Sequence, residues 1–87
     1  TLNSAFMYQQ IDETIHVLVS FAGNKIQPLI FRWGNRSYQV KKVHLVHINR
    51  TGRDKIYHFA VTDNANYYKL SFNSETLQWR LTEKYMS

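Results

Sequence analysis

The stretch Tyr67-Tyr68-Lys69-Leu70-Ser71-Phe72-Asn73-Ser74-Glu75-Thr76-Leu77-Gln78-Trp79-Arg80-Leu81 decides how this chain folds. Tyr68, Leu70 and Phe72 alternate with Tyr67, Lys69 and Ser71; beyond a polar break, Leu77, Trp79 and Leu81 alternate with Gln78, Arg80 and Thr82. Alternation of period two on both sides of an Asn-Ser-containing turn predicts a half-buried β-hairpin. Setting Phe72 opposite Leu77 brings Leu70 to Trp79 and Tyr68 to Leu81, so the bulky side chains share one face. The same register sets Lys69 across from Arg80 on the other face.

Upstream, Gly34-Asn35 separates two further alternating runs, and a pair of this type predicts a two-residue hairpin turn. Trp33 then faces Arg36, Phe31 faces Tyr38 and Leu29 faces Val40, again on one side. Pro28 has no N–H and demands an edge or a bulge. Ile15, Val17, Val19 and Phe21 read as a first strand that reverses at Ala22-Gly23-Asn24-Lys25. Between these hairpins, Tyr57, Phe59 and Val61 point inward, and a turn at Asn64-Ala65 pairs Val61 with Tyr68 and Phe59 with Leu70.

Residues 38–50 break their own phase. Tyr38 and Val40 share one parity, Val43 and Leu45 the other, and Val46 and Ile48 return to the first. Bulges near Lys41-Lys42 and Leu45-Val46 would restore inward pointing and bend the strand. The expectation is therefore all-β: a six-stranded antiparallel meander with little or no helix, curled or drawn into a small partly open barrel that covers its aromatic face. Phe31, Trp33, Tyr38, Phe59, Phe72 and Trp79 supply that face, with Trp33 partly exposed beside its turn. Residues 11–87 make this single β-domain. Residues 1–10 show neither period and read as a flexible arm or a remnant of another segment, with Met7 a candidate native start.

Eleven Lys and Arg against six Asp and Glu give a net charge of +5, which favours acidic partners, nucleic acid above all. Cysteine is absent, which removes disulfides and thiolate metal sites together and fits a reducing, cytoplasmic setting. No apolar run is long enough to span a bilayer, so no membrane partner is expected.

Little in the chain suggests catalysis. His44 and His47, three apart on a strand, point to opposite faces and cannot share an ion without a distortion; His16 and His58 add no complete ligand set, so neither a metal nor another cofactor is expected. None of Ser20, Ser37, Ser71 and Ser74 lies in a nucleophile-elbow context. Asp63 and His58 have odd spacing on one strand, and Asp12-Glu13 reads as the solvated end of an element. The three glycines stand singly in turns and form no phosphate loop. An enzyme is not expected.

The polar face carries the functional expectation. Lys69 beside Arg80, with Tyr67 as a stacking platform and Arg32 and Lys84 extending the patch, suits phosphates and unpaired bases. A like-charged pair directly opposed costs stability, which argues for a use; two long side chains splaying into water is the plainer explanation. Arg50, Arg53 and Lys55 form a second basic cluster at a loop tip.

The run Phe31-x-Trp33-Gly34-Asn35-Arg36-x-Tyr38-x-Val40, with His58-Phe59-x-Val61, Tyr68-x-Leu70-x-Phe72 and Trp79-x-Leu81, resembles a family of small bacterial all-β domains of unknown function. Its members share an F-x-W-x-x-R-x-Y-x-V hairpin and a later Y-x-L-x-x-D to W-x-L hairpin. Such domains stand alone or occur beside, or fused to, lesion-bypass DNA polymerases. The resemblance covers residues 26–82 and departs from the pattern at Asn73, where the family often has Asp. It implies a fold and a link to nucleic-acid metabolism, and no activity or binding residue carries over. Two functions follow as expectations: a non-enzymatic accessory domain contacting nucleic acid through Arg32, Tyr67, Lys69, Arg80 and Lys84, or a protein-interaction or self-associating module, a homodimer included, that pairs through an edge strand.

Overall fold

A computed structural model describes residues 7–63 and 65–86. The described residues form strands joined by short turns: β1 (Met7–Ala22), β2 (Lys25–Trp33), β3 (Arg36–Gln39), β4 (Lys42–Thr51), β5 (Asp54–Thr62), β6 (Asn66–Asn73) and β7 (Gln78–Met86). They make one seven-stranded antiparallel sheet in the order β3-β2-β1-β7-β6-β5-β4. No helix among the described residues is long and apolar enough to cross a membrane.

The all-β meander is present, with one strand more than the six expected. The long third strand is split into β3 and β4, and these become the two edges of the sheet although only Val40 and Lys41 separate them. The Val40 amide donates to Leu29 O on β2, and the next amide, Lys41, donates to Thr62 O on β5. Meanwhile the first and last strands pair, β1 against β7. The sheet is thus curled upon itself, with its opening inside the third strand; no ladder joins β3 to β4, so it is not a closed barrel. Curling shows in the side chains. Phe31 of β2 meets Tyr68 of β6 with ring centroids 5.0 Å apart, although β1 and β7 lie between them in the sheet.

Turn chemistry explains two of the registers. Trp33 faces Arg36 and Phe31 faces Tyr38, as the Gly34-Asn35 turn requires. Gly34 has φ of 63° while Asn35 stays at negative φ, which is the glycine-first form of the two-residue hairpin. Gly23-Asn24 and Gly52-Arg53 repeat the device between Ala22 and Lys25 and between Thr51 and Asp54. Val61 pairs with Tyr68 and Phe59 with Leu70 as expected; of the turn between them, Asn64 lies outside the described residues.

Where a longer loop or a bulge intervenes, the registers differ. Phe72 faces Trp79 and Leu70 faces Leu81, two residues on from the expected pairing. Asn73 is the reason: its Oδ1 accepts the amides of Glu75 and Thr76 at 2.9 and 3.2 Å, and its carbonyl accepts the Leu77 amide. This closes a four-residue loop and leaves Leu77 70% exposed rather than inward. Leu29 is likewise turned out of the core, since the β1–β2 register shifts between Leu18 and Val19 and leaves Leu29 unpaired beside the buried Pro28. The arm expected over residues 1–10 is strand from Met7 onward, with Gln9 and Gln10 opposite Lys84 and Glu83; residues 1–6 lie outside the described residues.

Ile15, Phe31, Phe59, Val61, Tyr68, Leu70, Phe72, Trp79 and Leu81 make the core. Burying a side chain of this size contributes about 1.5–3 kcal/mol. Tyr68, fully buried, keeps its hydroxyl satisfied by donating to Asp63 Oδ2 at 3.0 Å, and its pKa is pushed up to about 12, by burial first and by that carboxylate as well. Desolvation would raise the Asp63 pKa, but the amides of Ala65 and Asn66 and the Tyr68 hydroxyl outweigh it and hold the carboxylate below its ordinary value.

Candidate interaction surfaces

Of the residues expected to contact phosphate, Tyr67, Lys69 and Arg80 lie on the outer face of β6 and β7 and Arg32 on that of β2, whereas Lys84 does not join them. Lys69 and Arg80 share the outer face, yet they are not opposite one another: Lys69 faces Glu83 and Arg80 faces Ser71. Lys69 Nζ lies 3.5 Å from Glu83 Oε1 and 5.7 Å from the Tyr85 ring centre. Arg80 is occupied in structure: Nε donates to Asp12 Oδ1 at 2.9 Å, Nη2 to the Asp12 carbonyl at 2.8 Å and Nη1 to Thr14 Oγ1 at 3.2 Å. Asp12, at φ 58°, sits where the β1–β7 register shifts, so Arg80 braces a bulge.

Lys84 lies on the other side of the sheet. Thr82 is an extra residue between the Lys69–Glu83 and Leu70–Leu81 pairs, which reverses the parity beyond it. Lys84 therefore faces Tyr68, and its Nζ stands 5.4 Å from the ring centre of Trp33. Arg32 is exposed on the outer face of β2, opposite His16 and Ser37. Tyr67 is 62% exposed and faces Tyr85. The directly opposed cations are instead Arg50 and Lys55, beside the Gly52-Arg53 turn.

The histidines move as well. The β4–β5 register shifts between Leu45 and His47, so that His44 and His47, opposite Ala60 and His58, come to one face. His47 and His58 stack with ring centroids 4.4 Å apart, and Asn49 Nδ2 lies 3.3 Å from His58 Nε2. Burial lowers the His58 pKa, with His47 and Lys69 adding repulsion. Among the described residues no group of three or more His, Cys, Asp or Glu is placed to hold a metal ion.

Two further features stand out in the fold. The first is an edge. Among the described residues β4 pairs with β5 on one side only, nine of its ten residues are exposed, and Leu45, Val46 and Ile48 are among them. The second is charge segregation. Residues 14–53 contain seven cations (Lys25, Arg32, Arg36, Lys41, Lys42, Arg50 and Arg53) and no acid, while all six acids lie outside that run. The fold places this run in the second half of β1 and in β2, β3 and β4, so the acid-free part of the sheet includes both its edges. The run is visible in the sequence; its meeting with an open edge is not.

An opening accompanies the edge. A cavity of about 370 Å³ lies between the start of β2 and β4, walled by Ile26, Val43, Leu45, Tyr57 and Phe59, with Lys25 among its polar lining. Comparison of the chain with models of known families, with curated proteins and with solved structures finds no match.

Proposed function

We propose that this domain is a non-enzymatic, cytoplasmic binding module that seats an extended segment of another protein along the open edge of β4, in an accessory role. The observation that carries this reading is β4 itself: ten residues, unpaired on one side, with Leu45, Val46 and Ile48 half or nearly half exposed. Unpaired strand edges recruit extended chains through main-chain hydrogen bonds, and side-chain alternation then gives specificity. Edge lysines and bulges ordinarily guard against such pairing. Here Lys42, Arg50 and the irregularity at Val46 oppose a second copy of the same strand, since two copies would set cation against cation, but they do not oppose an acidic chain.

Nucleic acid is the second reading, supported by the acid-free run of residues 14–53 and by the exposed Tyr67 and Arg32. Engagement of Lys69 with Glu83 and of Arg80 with Asp12 weighs against the outer face as its seat. Titrating the ¹⁵N-labelled protein with a ten-residue peptide of alternating valine and glutamate, and separately with a ten-residue deoxythymidine oligonucleotide, separates the two. Amide shifts along residues 42–48 with the peptide support strand addition. Shifts confined to the oligonucleotide titration, abolished by salt, would move the assignment to nucleic acid.

A further inference from the structure

We infer that the cavity between β2 and β4 is an anchor pocket that receives one large apolar side chain of an acidic, extended partner segment. The inference rests on the strand-addition reading and adds what that reading leaves open: where the partner is gripped and what it must carry.

On β2 the pairing with β3 begins at Ile30, and the last bond toward the corner runs from the Val40 amide to Leu29 O. Among the described residues, 25–28 therefore have β1 on one side and no paired strand on the other. From the same corner β4 runs away along β5, also open on its outer side. Two unpaired backbone edges thus diverge from Val40-Lys41, and the cavity lies in the wedge between them.

In a closed small barrel, inward side chains of a further strand segment would occupy this position. Here the position is walled by apolar groups. Phe59, only 2% exposed, forms the base, and Ile26, Val43, Leu45 and Tyr57 complete the wall. At about 370 Å³ the space lies at the low end of pocket volumes that hold small organic groups, which suits one or two side chains and not a folded element. The two edges contribute unequally. Pro28 has no N–H to give, so main-chain bonds come chiefly from β4, and β2 supplies the apolar wall.

Charge selects the occupant. Lys25 belongs to the cavity lining, and Lys41 and Lys42 are exposed at the corner where the wedge begins. No acid lies within residues 14–53, and Asp63, next to the Thr62 that pairs with Lys42, has its carboxylate engaged by the amides of Ala65 and Asn66 and by the Tyr68 hydroxyl. A partner segment alternating an inward apolar residue with outward Asp or Glu meets both demands. A basic segment, or a second copy of β4, fails the second of these.

The test uses two synthetic ten-residue peptides of alternating glutamate and valine, one with phenylalanine and the other with alanine at a central inward position. Binding to the unaltered protein is measured by fluorescence anisotropy, with ¹H-¹⁵N spectra locating the contact. The phenylalanine peptide should bind at least tenfold more tightly and shift the amides of Ile26 and Phe59 as well as those of β4. Ile26→Trp, which fills the cavity, should reduce its affinity to that of the alanine peptide. Equal affinities with shifts along β4 would overturn the pocket and leave strand addition standing. Absence of shifts along β4 with either peptide would overturn both. Should Ile26→Trp fail to fold, the peptide pair on the unaltered protein decides.

Discussion

Val40 and Lys41 are adjacent in the chain, yet their amides bond to opposite ends of the sheet order, Val40 to Leu29 O at 2.9 Å and Lys41 to Thr62 O at 2.7 Å. That step spans the opening of the curl, where no ladder joins β3 to β4 among the described residues. Lys41→Pro removes the second donor and should cost about 1 kcal/mol or more, the scale of one lost main-chain hydrogen bond. Lys41→Ala keeps the amide and should be nearly neutral. Urea midpoints of the two variants make the comparison; equal midpoints would mean the corner bond does not hold the sheet.

Leu77 is a leucine in a left-handed conformation, at φ 61° and 70% exposed. It offers the core nothing, and the backbone conformation costs about 1 kcal/mol for a residue with a Cβ. Leu77→Gly should therefore stabilise the domain slightly, by up to about 0.5 kcal/mol, after allowing for the greater freedom of glycine in the unfolded chain. Thermal unfolding reads this directly, and a lower Tm would show that Leu77 has a contact worth more than the strain.

Arg80 donates three hydrogen bonds to Asp12 and Thr14 across the β1 bulge. Charge-assisted bonds to a partly exposed site are worth about 1–2 kcal/mol together, so Arg80→Ala should lower stability by that amount. Arg32→Ala, exposed and without such bonds among the contacts described, should change it by less than about 0.5 kcal/mol. Any loss of binding in an Arg80 variant must accordingly be corrected for unfolding, whereas Arg32 is a clean probe of charge.

Asn73 Nδ2 donates to Asp54 Oδ2 at 3.1 Å while its Oδ1 caps the loop. Aspartate could supply the cap but not the donor, and would set two carboxylates against each other. Asn73→Asp should cost about 1 kcal/mol at pH 7, with Asp54→Asn in the same chain restoring most of it. A double-mutant cycle measures the coupling, and strict additivity would show that the contact is idle.

How far the fold is legible in the sequence depends on what sets each register. Gly34-Asn35 permits only a short reversal, so residue type alone places Phe31 opposite Tyr38. The loop from Asn73 to Gln78 depends on a side-chain cap and a left-handed leucine, neither of which residue type announces, and the pairing of Phe72 is displaced with it. Thr82 bulges without glycine or proline to mark it, which is why simple alternation puts Lys84 on the wrong face. Arg80 and Asp12 are 68 residues apart, and only the pairing of first and last strands brings them together. Phase breaks in residues 38–50 do betray the bend, because apolar parity is a direct record of which side faces the core.

His58 provides a pH dependence whose sign is determined. Its pKa lies below the ordinary 6.5, from burial first and then from His47 on β4 and Lys69 on β6, while Asn49 Nδ2 stands at hydrogen-bond distance from a ring nitrogen that must be unprotonated to accept. The unfolded chain takes up this proton more readily than the folded one. The contribution is therefore complete above pH 6.5 and is lost as pH falls through 6.5 toward the folded value. Urea midpoints should decline as pH falls below about 7, and the His58 ring should titrate in NMR below the ordinary histidine value. His47→Ala removes one of the two repulsive neighbours, so the decline should become shallower even though the stacked ring is lost. A decline as steep in His47→Ala as in the unaltered protein would assign the effect to burial and Lys69 alone.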